Sequence, residues 1–238
     1  MYKVKGKPWA YSGAIDVSDC ATAKEVMIKA NLNFEVAKCE LVGKMPIKLT
    51  GTDEELDRII KEQKNGAHVF GTDIYRKCDN AFATYRTDCN IPLGTVRNKY
   101  TIVQNNEAFN FFDDAIGKNS AIWQTAGFWG NGERIFVSAK LPNNILVKGD
   151  PVENYLVFTN THDGSGGVKI LFTPIRVVCQ NTLNAAIHSS SNYVSFRHTS
   201  SVHNKISIAQ EILGISKIKS EEFAQSVSYT HLRAHETC

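Results

Sequence analysis

The feature that most constrains the fold is a stretch in the second half of the chain with the pattern strand, polar loop, strand, helix. Residues 155–161 are rich in β-branched and aromatic side chains, and residues 168–173 repeat that character. The loop between them, residues 162–167, has the sequence HDGSGG, whose glycines accept positive φ and favour a turn. Because Pro174 cannot donate a ladder hydrogen bond, the second strand should end before it. We therefore predict an antiparallel hairpin followed by a helix over residues 180–188.

A second predicted hairpin precedes this one. Residues 121–128 and 134–140 are strand-like, and the sequence WGNGE at residues 129–133 has the chemistry of a tight turn. Residues 193–198 predict one more strand, in which Tyr193, Ser195 and Arg197 share one side. Helices are expected at residues 105–116 and 204–213. Together these patterns indicate an α+β fold, an antiparallel sheet of hairpins with packed helices and a strand-strand-strand-helix core.

The first 90 residues predict a smaller α/β segment. A helix over residues 21–30 should be capped by Ser18 or Asp19. Further elements are expected as a strand at 33–39, a helix at 52–61, a strand at 80–88 and a turn at 91–94. The predicted organisation is an N-terminal segment over 1–90, a main antiparallel-sheet domain over 91–226, and a non-native tail over 227–238.

Composition narrows the class of protein. The chain is 42% hydrophobic and 21% charged, as is ordinary for a globular domain with a core. No apolar run approaches the roughly 20 residues that span a bilayer, and no apolar signal core is present at the start, so we expect a cytoplasmic protein without membrane contact. Six cysteines contain no C-x-x-C pair, which argues against a zinc ribbon and a disulfide framework. The net charge of +3 neither demands nor excludes nucleic acid.

Two motifs are distinctive: THDGS at residues 161–165 and RVVCQNTLNAA at residues 176–186. Further matches lie at residues 93–100, 104–112 and 125–127, and weaker ones at residues 7–9 and 196–199. Through these segments the chain resembles the phage/plasmid-like proteins of the domain of unknown function 932 family. The resemblance implies a protein of phages, prophages or plasmids in a bacterial host cell, and it implies no particular activity.

The end of the chain has a different character. VSYTHLRAHETC, residues 227–238, resembles a translated sequencing-adapter read-through of the kind found in environmental gene models. We therefore expect a metagenomic, truncated sequence and give the residues of this tail no functional role.

The order of elements also carries a fold-level analogy. Residues 135–139, 155–160, 168–173 and 180–188 form three predicted strands and a helix, similar to the core of the single-strand annealing recombinases of phages. Those proteins assemble rings or filaments around a basic groove. The analogy implies a homo-oligomer that binds single-stranded DNA in recombination or replication, although fold alone does not establish function.

Cations and amides suited to that hypothesis accompany the predicted sheet. Phosphates attract Lys and Arg, and unpaired bases stack on aromatic rings. The predicted nucleic-acid contacts are Lys169, Arg176, Arg197, Arg134, Asn160 and Asn181. The alternative interpretation is structural: cations on alternating strand positions are commonly a solvated face, and the interleaved aromatic side chains are commonly core.

A catalytic alternative depends on Cys179, His162 and Asp163, with Asn181 nearby in sequence. These are the residue types of a thiol nucleophile with its base and orienting group, so a cysteine-dependent hydrolase or transferase is the rival hypothesis. The alternative is that these residues have structural roles: Cys179 is buried in the core, and the Asp163 side chain caps the amides of the 162–167 loop. A third hypothesis is a host-interaction protein that presents the THDGS loop to another protein.

No cofactor or metal is expected. The histidines show neither H-x-x-x-H nor H-E-x-x-H spacing. The run Gly164-Ser165-Gly166-Gly167 lacks the lysine of a phosphate-binding Walker loop. An enzyme is therefore the less favoured class.

Overall fold

The computed structural model describes residues 13–46, 52–70, 73–116, 122–142, 145–147, 150–190 and 193–209. The strands are β1 (Ala14–Asp16), β2 (Val36–Pro46), β3 (His68–Phe70), β4 (Asp73–Arg86), β5 (Pro92–Arg97), β6 (Ile122–Trp129), β7 (Arg134–Lys140), β8 (Ile145–Val147), β9 (Asp150–Val152), β10 (Tyr155–Thr161), β11 (Val168–Thr173) and β12 (Tyr193–Phe196). The helices are α1 (Ala23–Lys29), α2 (Asp53–Lys64), α3 (Asn105–Ile116), α4 (Gln180–Ser189) and α5, of which residues 202–209 are described.

Six strands form the main sheet in the order β1-β6-β7-β10-β11-β12, with antiparallel neighbours throughout. β10 and β11 form the first predicted hairpin, in which Tyr155 is opposite Thr173 and Thr159 is opposite Lys169. β6 and β7 form the second hairpin, and α4 follows β11. The predicted α+β fold with its strand-strand-strand-helix order is therefore confirmed.

Helices cover both faces of the main sheet. Side chains alternate between the two faces along each strand, and both faces carry buried apolar side chains that the helices cover. On one face Phe158 packs against Phe112 of α3, with ring centroids 6.4 Å apart. On the other face Phe136 and Val157 pack with Leu183 of α4. We call these the α3 face and the α4 face. All five side chains are buried, and burying each contributes about 1.5–3 kcal/mol.

A second sheet packs β4 between β2 on one side and β3 and β5 on the other. The prediction of a turn at residues 91–94 is wrong, because β5 begins at Pro92. Leu93 and Val96 are buried there, and Pro92 is the first residue of the strand, where its missing N–H is tolerated. Burial thus outweighs the turn preference of the Pro-Leu-Gly sequence.

The predicted cap of α1 is also wrong. Thr22 is the N-cap, since its hydroxyl accepts the Glu25 N–H at 3.2 Å. The Glu25 carboxylate in turn accepts the Ala21 N–H at 2.8 Å. Asp19 instead pairs with Lys29 in the last turn of the helix. Thr-x-x-Glu is the signature of a capping box, and this signal in the sequence marks the correct position.

α3 starts at Asn105, as predicted. The spacing of apolar residues in this helix predicts an inward face of Ala108, Phe111, Phe112, Ala115 and Ile116. Phe112 is buried, and so is Phe109, which that predicted face omits. The side chains of the other predicted members, Ala108, Phe111, Ala115 and Ile116, lie outside the described residues. The same holds for the predicted helix end at Gly117, for residues 210–213 of the predicted last helix and for the tail.

Each of the two sheets contains a strand from the other side of the predicted boundary at residue 90. β1 comes from the first 90 residues and pairs with β6 of the main sheet. β5 follows the boundary and pairs with β4 of the second sheet. The domain division itself stays a prediction. In the described part of the chain, no helix is long and apolar enough to cross a membrane.

Candidate nucleic-acid interface

Three cations share the α4 face of the main sheet. Arg134 of β7 lies two residues before Phe136, and Lys169 of β11 lies two residues before Leu171; Phe136 and Leu171 both pack on that face. Lys169 is opposite Ser195 of β12, and Arg197 is two residues further along. We call Arg134, Lys169 and Arg197 the basic strip. Since neighbouring strands are about 4.8 Å apart, the strip crosses β7, β10, β11 and β12 over roughly 15 Å.

The basic strip is accessible. Arg197 is exposed, and Arg134 and Lys169 are half-buried. None of the three forms an ion pair with another described residue, whereas Lys140, at the opposite end of β7, is paired with Glu153. The alternation predicted for residues 193–198 is confirmed, because Tyr193, Ser195 and Arg197 are exposed while His198 is buried.

Two of the predicted contacts are engaged elsewhere. Arg176 lies 3.6 Å from a carboxylate oxygen of Asp16 and also helps to lower the pKa of Glu153, so its charge is balanced within the protein. Asn160 is fully buried, and its side-chain amide donates to the Val103 carbonyl at 3.0 Å. We therefore remove Asn160 and Arg176 from the set of proposed contacts.

Asn181 lines an open cavity of about 700 Å³. The cavity lies where the start of β1, the end of α1, the end of β6 and the start of α4 meet, and it is lined by residues 13–15, 30–31, 128–130 and 179–181. Trp129 adjoins the basic strip, because it is directly opposite Arg134 in the sheet. Trp129 is one of the aromatic side chains that the sequence places among these cations, whereas no sequence pattern pointed to Asn31. Asn31 has a positive φ of 53°, and this backbone conformation cannot be read from the sequence.

Cys179 is the N-cap of α4 and lines the same cavity. The Thr182 hydroxyl lies 3.5 Å from its Sγ and, with the backbone amides of Thr182 and Asn181, lowers the pKa of the Cys179 thiol. The side chain is half-buried and not in the core. A helix N-terminus favours the thiolate form of a cysteine in this way.

His162 lies in a different environment from Cys179. Its ring is fully buried on the α3 face, where Nε2 is 2.9 Å from Oδ1 of Asn105 and the ring packs edge-on against Phe34. Cys179 begins a helix that packs on the α4 face. The structure therefore does not bring the thiol and the imidazole together, and no histidine lines the cavity among the described residues.

The protonation state of His162 follows from its neighbours. The Asn105 amide nitrogen donates to the carbonyls of Leu32, at 3.0 Å, and Phe34, at 3.3 Å, so Oδ1 faces His162 and accepts from Nε2–H. Burial, with a smaller repulsive contribution from His198, lowers the pKa of His162 to about 3. The neutral imidazole of His162 therefore stabilises the fold as a hydrogen-bond donor, and its burial keeps it from contacting a substrate.

The THDGS loop is tied to the protein on several sides. Asp163 accepts the Ser165 N–H at 2.8 Å, which is the predicted cap. The Thr84 hydroxyl donates to the His162 carbonyl at 2.7 Å, and the Tyr100 hydroxyl donates to the Thr161 carbonyl at 2.9 Å. The polar residues of this motif thus hold β4 and the segment before α3 against the main sheet. No cluster of metal-ligating side chains occurs in the described ranges.

Comparison with protein-family models matches residues 92–235 to the family described as Domain of unknown function (DUF932). The chain belongs to this family. The match includes the basic strip, Trp129 and all of α4, whereas Asn31 and β1 precede it. In the DUF932 match, residues 227–235 are also included, and the foreign origin of the tail stays a prediction. No curated protein and no solved structure matches the chain.

Proposed function

We propose that this DUF932 protein binds single-stranded DNA along the basic strip, in the recombination or replication of phage or plasmid DNA. The observation that carries the proposal is the placement of Arg134, Lys169 and Arg197 on one face of the main sheet, across β7, β10, β11 and the end of β12. Three accessible cations in a line suit a phosphate backbone, which binds without regard to base sequence.

The environment of the strip supports an extended ligand. Trp129 and Arg134 are direct neighbours across β6 and β7, so an aromatic ring stands at one end of the line of cations. Aromatic rings beside cationic grooves are the usual combination for unpaired strands, because every base offers a face for stacking. Binding as a homo-oligomer, with annealing of complementary strands, is the form of this function that the fold-level analogy suggests.

The rival cysteine mechanism has less support. A thiol nucleophile needs a base within hydrogen-bond reach, and the imidazole of His162 is buried on the other face of the sheet. If the protein binds no nucleic acid, the hypothesis of a host-interaction protein becomes the favoured one.

The test is fluorescence anisotropy of a labelled oligothymidine titrated with the protein across a salt series. The double variant Lys169→Ala with Arg197→Ala should bind more weakly. For single strands each neutralised phosphate contributes about −0.7 to the slope of log K against log salt, so the slope should become shallower by roughly 1.4.

A matched control removes the same charge elsewhere. Arg58 and Lys61 are exposed on α2 of the second sheet, away from the strip, and their double alanine variant should keep the slope of the wild type. Equal weakening by both double variants would show a non-specific charge effect and reject the strip as the interface. Absence of binding by the wild type at low salt would reject the function.

A further inference from the structure

The cavity beside α4 has the size and lining of a site for a planar polar ligand. Its volume of about 700 Å³ falls within the range of small-molecule sites. Trp129 lines it while stacking on Phe136, with ring centroids 4.6 Å apart and planes inclined by 22°. A ring held by such a stack is a rigid surface at one side of the cavity.

Three amide side chains, Asn31, Gln180 and Asn181, lie around that aromatic wall. Each amide carries both a donor and an acceptor, which is the combination that the Watson–Crick edge of a nucleobase requires. The three are exposed, so they can reorient toward a ligand without breaking a core contact. No charged side chain lines the cavity among the described residues, which favours a neutral aromatic group over a bare anion.

We propose that this cavity holds an unpaired base of the strand bound on the basic strip, stacked beside Trp129 and contacted by the amides of Asn31 and Asn181. The inference rests on the proposed function. The basic strip and the cavity are linked because Trp129 lies directly opposite Arg134 in the sheet. A DNA strand whose phosphates contact Arg134 therefore has its next base within reach of the cavity. The basic strip then supplies affinity for DNA that does not depend on base sequence, and the cavity supplies a preference among bases.

Cys179 provides a direct reporter of occupancy, because its thiol lines the cavity. The experiment is alkylation of the full chain with iodoacetamide, followed by mass spectrometry of each cysteine peptide, with and without saturating oligothymidine. We expect the strand to slow alkylation of Cys179 at least about fivefold and to leave the exposed Cys89 unchanged.

An abasic oligonucleotide of equal length separates base from backbone. It presents the same phosphates to the basic strip, so it should bind but leave Cys179 reactive. Equal protection by the abasic strand would overturn the base assignment. Protection by a free mononucleotide with none by the oligonucleotide would overturn the assignment to a strand.

Two variants test recognition without removing a core side chain. Asn31→Gly keeps the backbone conformation, since φ at this position is 53° and glycine adopts that region freely. Asn181→Ala removes an exposed amide from the first turn of α4. Both should reduce the difference in affinity between oligonucleotides of different base composition.

Trp129→Phe keeps an aromatic stack on Phe136, whereas Trp129→Ala should weaken binding about 5- to 150-fold, the effect of losing one stacked base. The outcomes for the two proposals are distinguishable. Anisotropy showing strand binding, together with unchanged Cys179 alkylation and an unaffected Trp129→Ala variant, would overturn the cavity inference and leave the basic strip in place. Weaker binding in the strip variants, with Cys179 still protected when base-containing strands are raised to saturation, would support the cavity as a contact separate from the strip.

Discussion

Nε2 of His162 lies 2.9 Å from Oδ1 of Asn105, and this buried contact joins the loop after β10 to the start of α3. Asn105 also donates to the carbonyls of Leu32 and Phe34, which follow α1. One amide side chain therefore connects three segments that are far apart in the sequence.

Asn105→Ala should lower the free energy of unfolding by roughly 1–3 kcal/mol for each buried polar group that it leaves unpaired. His162 and two backbone carbonyls lose their partner in this variant. Asn106→Ala is the matched control, because Asn106 is the next residue and is exposed. Urea unfolding followed by circular dichroism measures both, and equal midpoints would contradict the role of Asn105.

Stability should fall as the pH is lowered below neutrality. Burial lowers the pKa of His162 to about 3 from an ordinary value of 6.5, and burial also lowers the pKa of His198. Below pH 6.5 the unfolded chain binds a proton at His162 that the folded protein does not, so this contribution is complete above about pH 6.5 and is lost progressively toward pH 3, and His198 adds a loss in the same direction. The slope is about 1.4 kcal/mol per pH unit for each proton.

His162→Gln tests this assignment. The glutamine keeps a donor for Asn105 and does not titrate, so the free energy of unfolding between pH 6.5 and pH 4 should depend less steeply on pH than in the wild type. Urea titrations at intervals of pH give the two slopes. An unchanged slope would assign the acid sensitivity to other groups.

Gly94→Ala should destabilise the protein by about 1–3 kcal/mol, the usual effect of overpacking. A Cβ at Gly94 would lie 2.4 Å from the backbone oxygen of Asp163, so the THDGS loop would have to move away from β5. Gly43→Ala is the control, since its Cβ would make ordinary contacts, with the Cys78 Sγ at 3.6 Å and the Arg76 backbone oxygen at 3.8 Å. Thermal unfolding compares the two, and equal melting temperatures would show that the loop yields without penalty.

Cys179 should react with iodoacetamide before Cys20 at neutral pH. Hydrogen bonds from Thr182 lower the pKa of the Cys179 thiol, whereas burial raises the pKa of Cys20, and both side chains are half-buried. Thr182→Val removes the hydroxyl and should slow the reaction of Cys179. Rates are read from the alkylated peptides, and an unaltered order of reactivity in the variant would mean that the backbone amides alone set this pKa.

The sequence by itself determined the hairpins and the helix that follows them. Alternating β-branched and aromatic residues, a glycine-rich loop and a terminating proline are local signals, so β10, β11 and the start of α4 agree with their predicted positions. The two errors differ in cause: the capping box at Thr22 is a local signal that identifies the correct cap, whereas the burial of Leu93, which decides against a turn, is set by tertiary packing.

Only the tertiary structure decided which polar residues are available for function. Whether Asn160 faces a ligand or the core depends on the segment that packs over its strand, and the Val103 carbonyl that it binds is distant in sequence. Asp16 of β1 likewise balances Arg176. Strand register brings Arg134, Lys169 and Arg197 to one face, and the meeting of four elements creates the cavity beside Trp129. Such long-range contacts leave no periodic signal in the chain, because they are set by packing and not by neighbouring residues.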